Sequence, residues 1–137
     1  MRLKPVTAWS LGFLIILLSV IFGEVSIAFN DYFYHRLGIN KNLFSLFLWT
    51  LFIVAAYVAS YYSKAFKTFL GLSYILVIPI TAALVHYMNG LLGTVIDFDG
   101  VSGAIVVFKI YFLVAVIFAS IGTCLGVFFS KKLTASI

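Results

Sequence analysis

Three residues of this chain could do chemistry inside a membrane: Glu24, His86 and Lys109. Each interrupts an apolar run. Glu24 stands in FLIILLSVIFGEVSIAF, His86 in ILVIPITAALVHYMNG, and Lys109 in AIVVFKIYFLVAVIF. A carboxylate below a bilayer surface is costly and usually has a partner or a job. An acid, an imidazole and an ammonium at one depth can form a buried network, hold a proton or bind a polar ligand. Glu24 falls five residues before Phe29, about 7.5 Å at 1.5 Å per residue. Lys109 falls five residues after Ala104, at a similar depth. His86 belongs to the outer quarter of its run, and Asp97 and Asp99 occupy the loop above. Three arrangements remain open. Lys109 can snorkel up to Asp97 or Asp99 while Glu24 reaches the headgroups. The trio can form a structural interhelical network, or a working site.

No catalytic motif accompanies these residues. The chain has no HExxH, no GxSxG and no P-loop. Its two histidines are on separate segments, so neither a metal nor a cofactor is expected. Asp97 and Asp99 are two apart on a loop and would diverge, which makes a poor aspartic dyad. Cys124 is the single cysteine, which forbids an internal disulfide, and its apolar setting predicts a buried, inert thiol. An enzyme is not expected.

The elements that must position the trio follow from composition. The chain is 64% hydrophobic and 9% charged; its mean hydropathy is +1.20. A soluble domain carries roughly 25% charged residues. Lipid is therefore the expected solvent. A span needs about 20 apolar residues, and four windows of one domain qualify: 8–29, 43–62, 69–92 and 104–129. The first is long for a signal peptide, so it is expected to be retained despite the small-x-small site at Ser26-Ile27-Ala28.

Charge sets the expected orientation. Arg2, Lys4, Lys64, Lys67, Lys131 and Lys132 fall on the side of the N-terminus, and only Arg36, Lys41 and Lys109 on the other. The positive-inside rule then puts both termini in the cytoplasm. The net charge of +5 is spread through short loops and tails, and nucleic acid is not an expected partner.

Small residues supply the expected contacts. Gly12, Ser19, Gly23 and Ser26 share one stripe of the first helix, which lets a second backbone approach. In the fourth helix Lys109, Val116, Ser120 and Thr123 share a face, which predicts that Lys109 looks into the bundle. Gly122 and Gly126 form a GxxxG pair on another face, a candidate contact with a neighbour or a second copy. Pro79 is expected to kink the third helix.

The sequence thus predicts an all-α integral membrane protein. Its fold is an antiparallel four-helix transmembrane bundle with both termini cytoplasmic, in a bacterial inner membrane. The expected function is non-enzymatic: helix–helix or partner recognition, as an accessory subunit or immunity-type binder. Its partners are the lipid bilayer and a protein or a second copy. The alternative is a small oligomeric transporter or flippase with Glu24 as its proton, cation or substrate site.

Overall fold

The structure is a computed structural model. It describes residues 2–28, 38, 41–92 and 100–135, and the side-chain surroundings of 2–23, 38, 45–92 and 100–132. Among the described residues four helices run in order: α1 (Pro5–Ala28), α2 (Lys41–Tyr62), α3 (Lys67–Leu91) and α4 (Val101–Ala135). All four are long and apolar enough to cross a membrane, which points to an integral membrane protein. Pro5 opens α1, where its missing N–H costs nothing. Gly100 takes φ +65 just before α4, a left-handed turn that suits glycine. Pro79 does not break α3. The helix runs through it from Lys67 to Leu91, with the ring buried.

Paired contacts fix the helix directions. Gly12 of α1 lies against Ala55 of α2, and Ser19 against Leu48, so these two are antiparallel. Gly71 of α3 meets Thr123 of α4, and Lys67 meets Ser130, again antiparallel. The α2–α4 pair differs. Trp49 meets Phe118, Ile53 meets Gly122, and Tyr57 meets Gly126, so α2 and α4 run parallel. Alternate helices of an up-and-down bundle must run parallel, and here the parallel pair α2–α4 is in close contact. α4 packs mainly against α2 and α3, and α1 mainly against α2, leaving α1 and α4 at opposite corners.

The core is built from small side chains at the seams and large ones between them. Ala55, Ala56, Ala59, Ala82, Ala115 and Ala119 are fully buried, around Ile16, Val20, Phe52, Tyr74 and Ile78. Lipid tails are as apolar as leucine, so tight packing rather than water exclusion must hold these helices together. Two glycines show how tight it is. A Cβ on Gly122 would collide with the Ile53 carbonyl oxygen and lie 2.9 Å from the Ala56 Cβ. A Cβ on Gly71 would collide with the Thr123 and Ser60 hydroxyls. Gly126 is similarly placed, 2.8 Å from the Ser60 Cβ by the same measure.

These contacts reverse two expectations about α4. Gly122 and Gly126 face α2 inside the bundle, so this GxxxG pair is not free for a neighbouring protein. Lys109 is exposed, as is Val116, while Thr123 on the same line is buried. The reason is rotational. The buried seam of α4 is Ala115, Ala119, Gly122 and Gly126, and Lys109 precedes Ala115 by six residues. At about 100° per residue that places it about 120° off the seam. Cys124 is likewise exposed on α4, not buried.

The first-helix stripe is uneven. Gly12 and Ser19 are buried, and a Cβ on Gly12 would lie 2.8 Å from the Ala55 carbonyl oxygen. A Cβ on Gly23 would make only ordinary contacts, 3.6 Å to Leu48 and 3.7 Å to the Tyr111 hydroxyl. The side chain of Ser26 lies outside the described residues. Gly122→Ala and Gly71→Ala should each lower stability by about 1–3 kcal/mol, the usual range for overpacking. Gly23→Ala should change it by less than about 0.5 kcal/mol. Ser60 Oγ is buried without a hydrogen-bond partner, so Ser60→Ala should be neutral or stabilising. Reversible unfolding in mixed detergent micelles would measure all four.

Candidate functional site

The two ends of the bundle differ in kind. At the far end from the N-terminus, His86 is half-buried, one turn beyond buried Ala82 and two beyond buried Ile78. It therefore lies on the side of α3 that meets the bundle. Lys109 is exposed on α4. The Glu24 backbone belongs to α1, but its side chain, like Asp97 and Asp99, lies outside the described residues. Tyr111 is a polar group at this end that the sequence reading passed over. Its ring meets Phe52 edge-on at 6.1 Å, and its hydroxyl stands near Gly23, one residue from Glu24. Its only sequence signal was an aromatic ring in an apolar run, which carries no direction.

In the middle of the bundle, hydroxyls tie helices together. Ser19 Oγ donates to the Leu48 carbonyl at 2.7 Å, linking α1 to α2. Tyr74 Oη donates to the Trp9 carbonyl at 2.5 Å, and Trp9 Nε1 donates to Ser73 Oγ at 2.9 Å, linking α1 to α3. The Tyr74 hydroxyl reaches α1 because Gly12 leaves the room for it. Thr123 Oγ1 donates back to the Ala119 carbonyl at 2.7 Å within α4. These groups are committed to the backbone or to one another.

At the N-terminal end three chain segments meet. The Leu3 N–H donates to the Tyr62 carbonyl at 2.7 Å, and the Lys64 N–H donates to the Leu3 carbonyl at 2.9 Å. This is a one-residue parallel bridge between the N-terminal segment and the α2–α3 turn. Ser63 shapes that turn, its hydroxyl donating to the Ala65 carbonyl at 2.5 Å. Arg2 Nη1 donates to Ser130 Oγ at 2.8 Å. Lys67 Nζ also donates to Ser130 Oγ, and to the Tyr61 carbonyl at 3.2 Å. Ser130, at the end of α4, thus gathers two cations from two other segments. Lys4, Lys64, Lys131 and Lys132 surround them, all exposed. In the sequence, none of the chain's four carboxylates, Glu24, Asp31, Asp97 and Asp99, falls in the segments that meet here.

Chemically, this end is a cation cluster suited to hold an anion. Among the described residues no group of three or more His, Cys, Asp or Glu could hold a metal. Comparison with protein-family models, with curated proteins and with solved structures returns no match.

The Leu3 bridge and the Ser130 hub should stabilise the same end. Ser130→Ala removes an acceptor that serves two charged donors, and hydrogen bonds to charged groups contribute about 1.5–3 kcal/mol at most. We expect a loss of about 1–2 kcal/mol, because Lys67 keeps the Tyr61 carbonyl. Leu3→Pro removes the donor to Tyr62 and should release the N-terminal segment to limited proteolysis, with the helix content by circular dichroism unchanged.

Proposed function

We propose that the protein is non-enzymatic and works by recognition in the plane of the bilayer, as an accessory subunit or immunity-type binder. The observation that carries this reading is the filled middle of the bundle. Ile16, Val20, Phe52, Tyr74 and Ile78 pack there with at most 1% exposure, among six fully buried alanines. A transporter needs a continuous polar path at this level, and the large buried side chains here are mostly apolar. The hydroxyls of Ser19, Tyr74 and Thr123 are spent on carbonyls, while Ser60 Oγ is buried without a partner.

The surface left for a partner is the outer side of α4. In its most apolar 18-residue stretch only 11% of residues are buried, against 28–33% in the corresponding stretches of the other three. Leu113, Ile117, Ile121, Leu125 and Phe128 are exposed along it. Cys124 and Ser120 break up the bulk of this face and give it shape. Internal contacts use the opposite, small-residue side of α4, so the two sides do not compete.

A photoreactive phenylalanine analogue at Ile117 or Leu113, expressed in native membranes, tests the reading. One discrete protein adduct is expected from α4, and none from Leu14 or Leu18 of α1. A doubled mass would identify a second copy of the chain as the partner. Lipid adducts alone, together with proton-coupled flux in proteoliposomes that Glu24→Gln abolishes, would replace this reading with the transporter.

A further inference from the structure

The turn between α2 and α3 breaks local rules. Phe66 is the N-cap of α3 and sits in the left-handed region, φ 56 and ψ 33, with no side-chain cap hydrogen bond. Ser, Thr, Asp or Asn normally occupies that place, because its oxygen accepts an orphan N–H of the first turn. A bulky side chain at positive φ is an outlier that persists only where the surroundings impose it, and such outliers cluster at binding sites. Nor is the ring buried to compensate. Phe66 is 72% exposed, and Phe69, one turn on, is 71% exposed.

A shallow groove of about 400 Å³ opens at this point. It is lined by Lys64, Phe66, Lys67, Thr68, Phe69 and Lys131, with Ala65 and Val127. That volume is within the range of small-ligand sites, roughly 300–1,000 Å³. Lys67 turns its ammonium inward to Ser130 and Tyr61, whereas Lys64 and Lys131 are exposed. The groove therefore joins three features: two outward ammonium groups, the positive end of an uncapped helix, and two bare aromatic rings. The first two favour an anion. The rings favour hydrocarbon beside it.

We propose that this groove binds the phosphate headgroup of an anionic phospholipid. Lys64 and Lys131 hold the phosphate at the N-terminus of α3, and Phe66 and Phe69 lie against the acyl chains. A lipid engages the two outward lysines, the helix terminus and both rings at once. A soluble phosphate would leave both rings uncovered. The same contact explains the missing cap, since the phosphate oxygens accept from the first-turn N–H groups. It also gives the basic end a task beyond setting orientation. The proposal stands apart from the partner on α4, which involves another surface.

Native mass spectrometry of the full chain, released from a neutral detergent, tests it with dioleoyl phosphatidylglycerol, dioleoyl phosphatidylcholine and inorganic phosphate as probes. The wild type should retain phosphatidylglycerol in preference to phosphatidylcholine. Each basic residue near an anionic lipid contributes about five-fold in affinity. Lys64→Gln with Lys131→Gln should therefore weaken phosphatidylglycerol binding by at least about ten-fold. Lys132→Gln, which removes the same charge outside the groove, should leave binding unchanged. Phe66→Gly suits the positive φ, so it should keep the melting temperature and still weaken lipid retention. That variant decides the matter if the double lysine variant does not fold. Equal retention of the two lipids, a loss in Lys132→Gln as large as in the double variant, unaltered binding by Phe66→Gly, or displacement of the lipid by millimolar inorganic phosphate would each overturn the proposal.

Discussion

Everything in this bundle depends on how closely α4 approaches α2. The two run parallel, and the carbonyl oxygens of Ile53 and Tyr57 face the backbone of Gly122 and Gly126. Within a bilayer no hydrophobic force separates helix from lipid, so close van der Waals contact has to supply the difference. Interhelical hydrogen bonds add only about 0.6 kcal/mol each on average in a membrane protein where they were measured. Overpacking a seam costs about 1–3 kcal/mol. The small residues therefore outweigh the visible hydroxyl bonds, and Ser19, Tyr74 and Thr123 refine a fit that Gly12, Gly71, Gly122 and Gly126 permit.

That seam also orders the other elements. With α4 wedged between α2 and α3, Thr123 meets Gly71 and Ser130 meets Lys67. Ser130 can then collect Arg2, and the N-terminal segment lies where Leu3 pairs with the α2–α3 turn. The clasp at the basic end is thus a consequence of helix packing, not an independent motif. The same geometry leaves one side of α4 almost wholly outward. A single set of glycines thereby fixes which surface is interior, which is left outward, and where the cations gather.

Charge is divided along the chain with unusual clarity. Arg2, Lys4, Lys64, Lys67, Lys131 and Lys132 belong to the end with the N-terminal segment, and none of the four carboxylates falls in the segments that meet there. The uncapped, left-handed Phe66 is at that same end, a backbone outlier beside exposed cations.

The sequence by itself determined the class and the elements. Four apolar runs became four helices, with starts and ends within a few residues of the windows, apart from α4. It continues to Ala135, because Ser130, Lys131 and Lys132 end the apolar run without ending a helix. Composition suffices for this, since every backbone group in lipid must be paired within its own helix. The small-residue positions Gly12 and Ser19 were legible for the same reason, as close approach admits few side chains. Only the tertiary structure decided which seam each helix uses. A helical wheel gives relative angles around one axis but no absolute direction. Gly122 and Gly126 therefore read as an outward contact and Lys109 as an inward one, and the packing of α4 reversed both. Cys124 turned outward by the same rotation. The convergence of Arg2, Lys67 and Ser130, far apart in sequence, had no local signal at all. It exists because three helix ends arrive at one level, which spacing along a chain cannot encode.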